Sequence, residues 1–144
     1  KRWSNYYEKG QYDKAISDCT KAIEINPRLT EAYSVRGIAY DETEEFDKAI
    51  ADYTKAIEIF PSFAMAYNNR GLSYGNKGQH DKAISDFTKA IEINPSFAMA
   101  YSNRGNAYSE KKNMKKACSD WKRACELGDC MNWSVINKIR CLGK

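Results

Sequence analysis

The chain has 144 residues, of which 42% are hydrophobic, and its formal net charge is +4. This apolar content can bury one continuous core, and no apolar run approaches the roughly 18 residues that a membrane span requires. The modest charge excludes a strongly basic or acidic protein, so the location of the charges matters more than their sum.

Five cysteines are an odd number in a chain too large to need disulfide staples. This count favours a reducing compartment, so we expect a soluble protein, with the cytoplasm favoured over other compartments. The chain begins at Lys1, and we interpret it as a processed or trimmed product, which leaves its targeting unknown.

Three residue types recur along the chain with one fixed period of 34 residues. The recurring positions are Pro27, Pro61 and Pro95, then Tyr33, Tyr67 and Tyr101, and then Gly37, Gly71 and Gly105. Such a period indicates stacked repeats, each of which buries its apolar face against its neighbours.

Taken in order, residues 1–29 form a partial first repeat in which only the second helix, Tyr12–Ile25, is complete. Trp3 stands there in place of the recurring glycine, and Cys19 in place of a large aromatic residue. Full repeats follow at 30–63, 64–97 and 98–129, and each predicts two amphipathic helices joined by a turn.

The third repeat shows the pattern best, with helices predicted from Ala64 to about Lys77 and from Asp81 to Ile93. Pro95 ends the second helix because its ring excludes the preceding residue from the α conformation. In the second and fourth repeats Glu44 and Lys112 replace the turn glycine, so we expect less relaxed turns there.

The last segment, residues 130–144, carries Trp133, Ile136 and Ile139 at helical spacing. We predict a capping helix from Met131 to Leu142 that covers the open end of the stack.

The third repeat therefore combines one set of packing residues: Tyr67, Arg70, Gly71, Tyr74, Ala83, Phe87, Ala90 and Pro95. This pattern resembles the tetratricopeptide repeat (TPR), and the copies in register extend the resemblance over almost the whole chain. The resemblance implies an all-α, right-handed solenoid of antiparallel helix pairs that forms a single domain over residues 1–144. The segment around Cys125 is also similar to Sel1-like repeats, the cysteine-bearing relatives of this repeat.

An arginine in each full repeat is followed 16 residues later by an aspartate. The pairs are Arg36 with Asp52, Arg70 with Asp86 and Arg104 with Asp120. We predict a buried or half-buried ion pair, bidentate where the geometry permits, that fixes the register of the two helices in each repeat. The alternative is a solvated edge, where such a pair contributes less than about 1 kcal/mol.

The resemblance also implies a groove, lined by the first helix of each repeat, that receives an extended peptide or a partner helix. The matching positions carry Val35, Ile38, Met65, Asn68, Asn69, Leu72, Met99, Ser102, Asn103 and Asn106. Asn69 and Asn103 could form an asparagine ladder along a bound backbone, since an amide both donates and accepts hydrogen bonds. The alternative is plain solvated surface.

Charges narrow the kind of peptide expected. One subclass of the family binds C-terminal carboxylates with cations, but the matching positions here are Ser34, Met65, Met99 and Asn103. The formal charges that we place in the groove are all acidic: Glu8, Glu31, Asp41, Glu42 and Glu110. We therefore expect a neutral or basic peptide rather than a C-terminal carboxylate tail.

A basic cluster lies in the fourth repeat, at Lys111, Lys112, Lys115, Lys116, Lys122 and Arg123. It could receive an acidic partner or a nucleic acid. A solvated face is the more common meaning of such a cluster, and no nucleic-acid motif accompanies it, so we regard nucleic acid as unlikely.

Chemistry-bearing motifs are scarce. The single histidine, His80, occupies a packing position, and the absence of a C-x-x-C pair makes a metal site improbable. We interpret Cys118 and Cys125 as small core residues. A Cys118–Cys141 disulfide is conceivable if the capping helix folds back.

We find no nucleophile–base pairing and no phosphate-binding loop, and we expect no catalytic activity and no cofactor. The sequence thus predicts a protein-interaction module that binds a peptide or helix in its groove. Two alternatives stay open: a structural element that self-associates by stacking through its repeat ends, with the N-terminal edge exposed for such stacking, and an accessory domain of a larger enzyme.

Overall fold

The computed structural model describes residues 11–142, with the side chains of residues 135 and 136 left aside. Within this range the chain forms eight helices and no strand, which confirms the all-α class. The helices are α1 (Tyr12–Ile25), α2 (Thr30–Glu42), α3 (Phe46–Ile59), α4 (Ala64–Asn76), α5 (His80–Ile93), α6 (Ala98–Glu110), α7 (Met114–Glu126) and α8 (Val135–Cys141). Trp3, Glu8, the partial first helix and the N-terminal edge lie outside the described residues.

The helices stack as a solenoid of pairs. Helices α2 and α3, α4 and α5, and α6 and α7 pack most closely, and each pair packs on the next. Contacts also join α2 to α4 and α4 to α6, so these three helices lie side by side. We call their shared exposed surface the inner face.

Glycine sets the distance between the helices of each pair. A Cβ atom at Gly71 would lie 2.7 Å from Cε1 of Phe87, and one at Gly37 would lie 2.6 Å from Cε1 of Tyr53. Both rings are buried, so the glycine lets α4 and α2 rest directly on an aromatic ring. Gly105 meets Trp121 in the same way.

The turns within repeats differ as the sequence predicts. Gly78 has φ of 79°, which glycine adopts freely, whereas Glu44 and Lys112 have φ of 62° and 65°. The left-handed conformation costs roughly 1–2 kcal/mol for a residue with a Cβ atom. The turns at Glu44 and Lys112 are therefore less favourable.

The C-terminal cap differs from the prediction. Helix α8 begins at Val135 rather than Met131, because Ser134 is extended and its Oγ accepts a hydrogen bond from the backbone N–H of Asn137. Ile139 and Leu142 remain exposed. Helix α8 is the predicted capping helix, but these two side chains lie largely in solvent rather than against the end of the stack.

Disulfides tie this cap to the solenoid instead. Cys118 on α7 pairs with Cys141 on α8, with Cα atoms 5.5 Å apart, and Cys125 pairs with Cys130. The interpretation of Cys118 and Cys125 as unpaired core residues is wrong, and the fold-back alternative is the arrangement present. Cys19 is the free cysteine. With four of five cysteines paired, the odd count no longer argues for a reducing compartment.

Candidate functional site

Each full repeat contains a two-point ion pair between its helices. Arg70 donates from Nε and Nη2 to Oδ2 and Oδ1 of Asp86, and both distances are 2.8 Å. The Asp86 side chain is buried, and the guanidinium lies over the rings of Tyr67 and Tyr74. The pairs Arg36–Asp52 and Arg104–Asp120 have the same geometry.

The arginine also bonds the preceding repeat, which the sequence analysis missed. Nη1 of Arg70 donates to Oγ1 of Thr54 on α3, at 3.0 Å. The hydrogen bonding that Arg70 donates to Asp86 is the main cause that raises the pKa of Arg70. Thr20 and Thr88 hold the same position toward Arg36 and Arg104, and this second recurring spacing of 16 residues was the available signal.

Four apolar side chains are exposed on the inner face in two rows. Met65 on α4 and Met99 on α6 form one row, and Ile38 on α2 and Leu72 on α4 form the other. Their relative exposures run from 38% for Ile38 to 49% for Met99. Val35 and Asn69 are half-buried beside them. These side chains are available to a partner.

Two predicted groove residues are not available. Asn68 is fully buried, accepts a hydrogen bond from Nδ2 of Asn103 at 3.0 Å, and contacts Sδ of Met99. Ser102 is also buried and accepts from Nδ2 of Asn132 at 2.6 Å. Both side chains lie between neighbouring repeats rather than on the inner face. Placing them in the groove was wrong, because helical spacing does not distinguish the exposed part of a polar face from the part against the next helix.

This arrangement also changes the proposed asparagine ladder. The Asn103 amide donates one of its two Nδ2 hydrogens to Asn68, so its Oδ1 and its second N–H are left for a partner. Asn106 is exposed, and its Oδ1 accepts from Nε1 of Trp121 at 3.0 Å, so its Nδ2 is left. The Oδ1 acceptor of Asn103 and the Nδ2 donor of Asn106 therefore stand one helical turn apart on α6.

A buried polar cluster joins α2 to its neighbours. Tyr53 Oη donates to Oδ2 of Asp41 at 2.7 Å, and Ser73 Oγ donates to Oδ1 of Asp41 at 2.6 Å. Burial raises the pKa of Asp41, and the two hydrogen bonds oppose that shift. The carboxylate thus bridges α2, α3 and α4, a role that the sequence analysis did not assign.

A pocket of about 160 Å³ opens between α4 and α6. Its floor includes Gly75, Phe87 and Ala107. Leu72, Asn103, Asn106 and Glu110 are among its other lining residues. Glu110 is the one acidic residue among those that line it.

The basic cluster of the fourth repeat is partly paired. Lys111 forms an ion pair with Asp81 at 2.7 Å, and Arg123 forms one with Glu126 at 3.2 Å. Lys116 lies over the ring of Tyr108. These contacts occupy half of the cluster within the solenoid.

Across residues 11–142, no helix is long and apolar enough to cross a membrane.

Comparisons with known proteins agree with this geometry. A family model described as the tetratricopeptide repeat matches residues 5–29, 30–63 and 64–97, and a second model of that description matches residues 87–119. No curated protein matches the chain.

Among solved structures, the chain is similar to a crystal structure of MamA, with a TM-score of 0.79, 34% identity, and coverage of 87% of this chain and 73% of that chain. It is similar to the first TPR of Spaghetti (RPAP3) bound to the HSP90 peptide SRMEEVD, with a TM-score of 0.70, 25% identity, and coverage of 79% and 88%. The Arabidopsis OM64 TPR domain gives a TM-score of 0.73 at 26% identity, over 79% of this chain and 94% of that chain. Since the matched repeats span most of the sequence, the chain belongs to the tetratricopeptide repeat family.

Proposed function

We propose that this protein is a non-catalytic interaction scaffold that binds a peptide segment or a partner helix along its inner face. The observation that carries the proposal is the pair of exposed apolar rows, Ile38 with Leu72 and Met65 with Met99. Covering such side chains removes apolar surface from water, which favours association, and methionine adapts its shape to a partner.

We infer that the preferred partner segment is neutral or basic. Glu31, Glu42 and Glu110 are exposed on α2 and α6, and Asp41 is half-buried beside them. The peptide in the RPAP3 structure, SRMEEVD, is acidic. In this chain Ser34, Met65, Met99 and Asn103 supply no cation to hold a carboxylate, and like charges across an interface oppose binding.

The test is affinity capture followed by quantitative binding. The purified chain would capture partners from a lysate, and the partner segment would then be titrated against the double variant Ile38→Ala/Met65→Ala. We expect at least about a tenfold loss of affinity, because two apolar contacts are truncated. Ile25→Ala is the matched control, since Ile25 is 86% exposed but lies on α1, away from the inner face. Unchanged affinity in the double variant would exclude the two apolar rows as the surface that holds the partner.

A further inference from the structure

The pocket between α4 and α6 lies at the position that a polar cluster occupies in the preceding repeat. Between α2 and α4 the same space holds Asp41, which accepts hydrogen bonds from Tyr53 and Ser73. The residues 34 positions later are Gly75, Phe87 and Ala107, and none of them has a polar side-chain atom. The pocket therefore lacks the carboxylate, the phenol oxygen and the hydroxyl that Asp41, Tyr53 and Ser73 supply between α2 and α4. Three coordinated differences thus turn a filled polar junction into an open pocket with an apolar floor.

The size of the pocket fits one ring. A Cβ atom added at Gly75 would meet only the Cβ of Ala83 at 4.0 Å, which shows how much space this glycine leaves. The volume is about 160 Å³. An apolar cavity of about 150 Å³ accommodates a benzene molecule. An aromatic side chain such as that of phenylalanine therefore matches the pocket.

The rim offers the groups that a peptide backbone and a cation require. The free Oδ1 of Asn103 accepts a hydrogen bond, and the free Nδ2 of Asn106 donates one, which matches an amide N–H and a carbonyl of an extended chain. Glu110 is exposed at the same rim. Its carboxylate attracts a lysine or arginine beside the seated ring.

We propose that this pocket is the specificity subsite of the scaffold, and that it seats one aromatic side chain of a peptide whose neighbouring residue is basic. The proposal rests on the proposed function and adds the chemistry of the ligand. Phe87 and Ala107 contact the ring, Asn103 and Asn106 hold the backbone, and Glu110 holds the adjacent cation.

The test uses capped tetrapeptides and NMR. The probes are Ac-Ala-Phe-Lys-Ala-NH₂, Ac-Ala-Ala-Lys-Ala-NH₂ and Ac-Ala-Phe-Glu-Ala-NH₂, titrated against the labelled chain while the backbone amides of Gly75 and Ala107 are followed. We expect saturable shifts with the Phe-Lys peptide, and at least about tenfold weaker binding when Phe becomes Ala. The Phe-Glu peptide should bind more weakly than the Phe-Lys peptide, and this difference should shrink at high salt. Equal affinities for the Phe-Lys and Ala-Lys peptides would overturn the proposal.

The chain itself supplies the blocking variant. Gly75→Asp/Phe87→Tyr/Ala107→Ser rebuilds the cluster of Asp41, Tyr53 and Ser73 in the pocket, and should lower affinity for the Phe-Lys peptide at least about tenfold. Circular dichroism checks its fold. If this variant does not fold, Gly75→Leu fills the same space with one apolar side chain and should cause the same loss. Unchanged affinity in a folded blocking variant would overturn the proposal.

The two failures can be told apart with the captured partner. If Ile38→Ala/Met65→Ala weakens the partner and the blocking variant does not, the subsite is refuted while the inner face remains the binding surface. If the blocking variant alone weakens it, the subsite stands and the apolar rows are not what holds the partner.

Discussion

Arg70 and Asp86 meet through two parallel hydrogen bonds of 2.8 Å that join α4 to α5. Replacing one partner leaves a desolvated group unpaired, so we expect Asp86→Asn to lower the free energy of unfolding by about 3 kcal/mol. The exposed pair Lys111–Asp81 is the matched control, and Asp81→Asn should cost less than about 1 kcal/mol. Urea denaturation measures both. A double-mutant cycle with Arg70→Lys should be non-additive, and additive effects would contradict a direct interaction.

Replacing each of two glycines on α4 with alanine should have opposite effects on the stability of the protein. Gly71→Ala would place a methyl group 2.7 Å from the ring of Phe87, so we expect a loss of about 1–3 kcal/mol in stability. At Gly75 the added methyl group meets only Ala83 at van der Waals distance, so we expect a gain of about 0.5–1 kcal/mol from helix propensity. Thermal unfolding of both variants checks this. Equal effects would mean that the ring does not limit the approach of α4.

Asn69 and Asn103 occupy equivalent positions in successive repeats, but replacing them with alanine should change stability by different amounts. Asn103→Ala removes the donor to Oδ1 of Asn68, which is fully buried, so we expect a loss of about 1–3 kcal/mol. Asn69→Ala should change stability by less than about 0.5 kcal/mol, because its half-buried side chain makes no hydrogen bond within residues 11–142. Chemical denaturation of both variants is the measurement. A stable Asn103→Ala variant would show that Asn68 finds another partner.

Asp41 should make stability depend on pH. Burial raises its pKa in the folded chain above the ordinary value of 3.8, so the folded chain binds this proton more tightly than the unfolded chain. This contribution to stability is complete below pH 3.8 and is lost as the pH rises through the folded pKa. The stability of the native chain relative to Asp41→Asn should therefore fall as the pH rises above 3.8 and through the folded pKa. A difference that stays constant with pH would contradict the shift.

The cysteine pairing predicts a thiol count. In denaturant without reductant, titration should find one free thiol, which belongs to Cys19. Reduction should release α8 first, because Ile139 and Leu142 are exposed and little apolar burial holds this helix. Hydrogen exchange of the α8 amides before and after reduction measures the release. Five free thiols in the unreduced chain would refute both disulfides.

Much of the fold follows from the sequence because every repeat places the same residue in the same surroundings. The recurring glycine beside an aromatic ring, and the spacing of 16 residues between Arg70 and Asp86, predict helix pairs and their contacts directly. Asn68 and Ser102 were misplaced because the rotation of one helix against the next decides which polar side chains are buried. Apolar periodicity does not report that rotation.

The pocket could not be predicted for a different reason. The pocket exists because the residues there lack the polar groups that Asp41, Tyr53 and Ser73 supply in the preceding repeat. The sequence does not show that those three residues converge, so it does not show that their replacement leaves a pocket. The disulfides could not be predicted from the number of cysteines, since an odd count is compatible with two disulfides and one free thiol.

Arg70 bonds to Asp86 of its own repeat and to Thr54 of the preceding repeat, so residues 64–97 carry the groups needed to stack on a second copy of themselves. Arg70 reaches back to Thr54, and Thr88 of the same repeat receives Arg104 from the next. A second copy of 64–97 inserted after residue 97 would present its own arginine to Thr88 and its own threonine to Arg104. The array can therefore lengthen by tandem duplication with the same arginine–threonine hydrogen bond at each new junction, and each added copy would extend the inner face by one repeat.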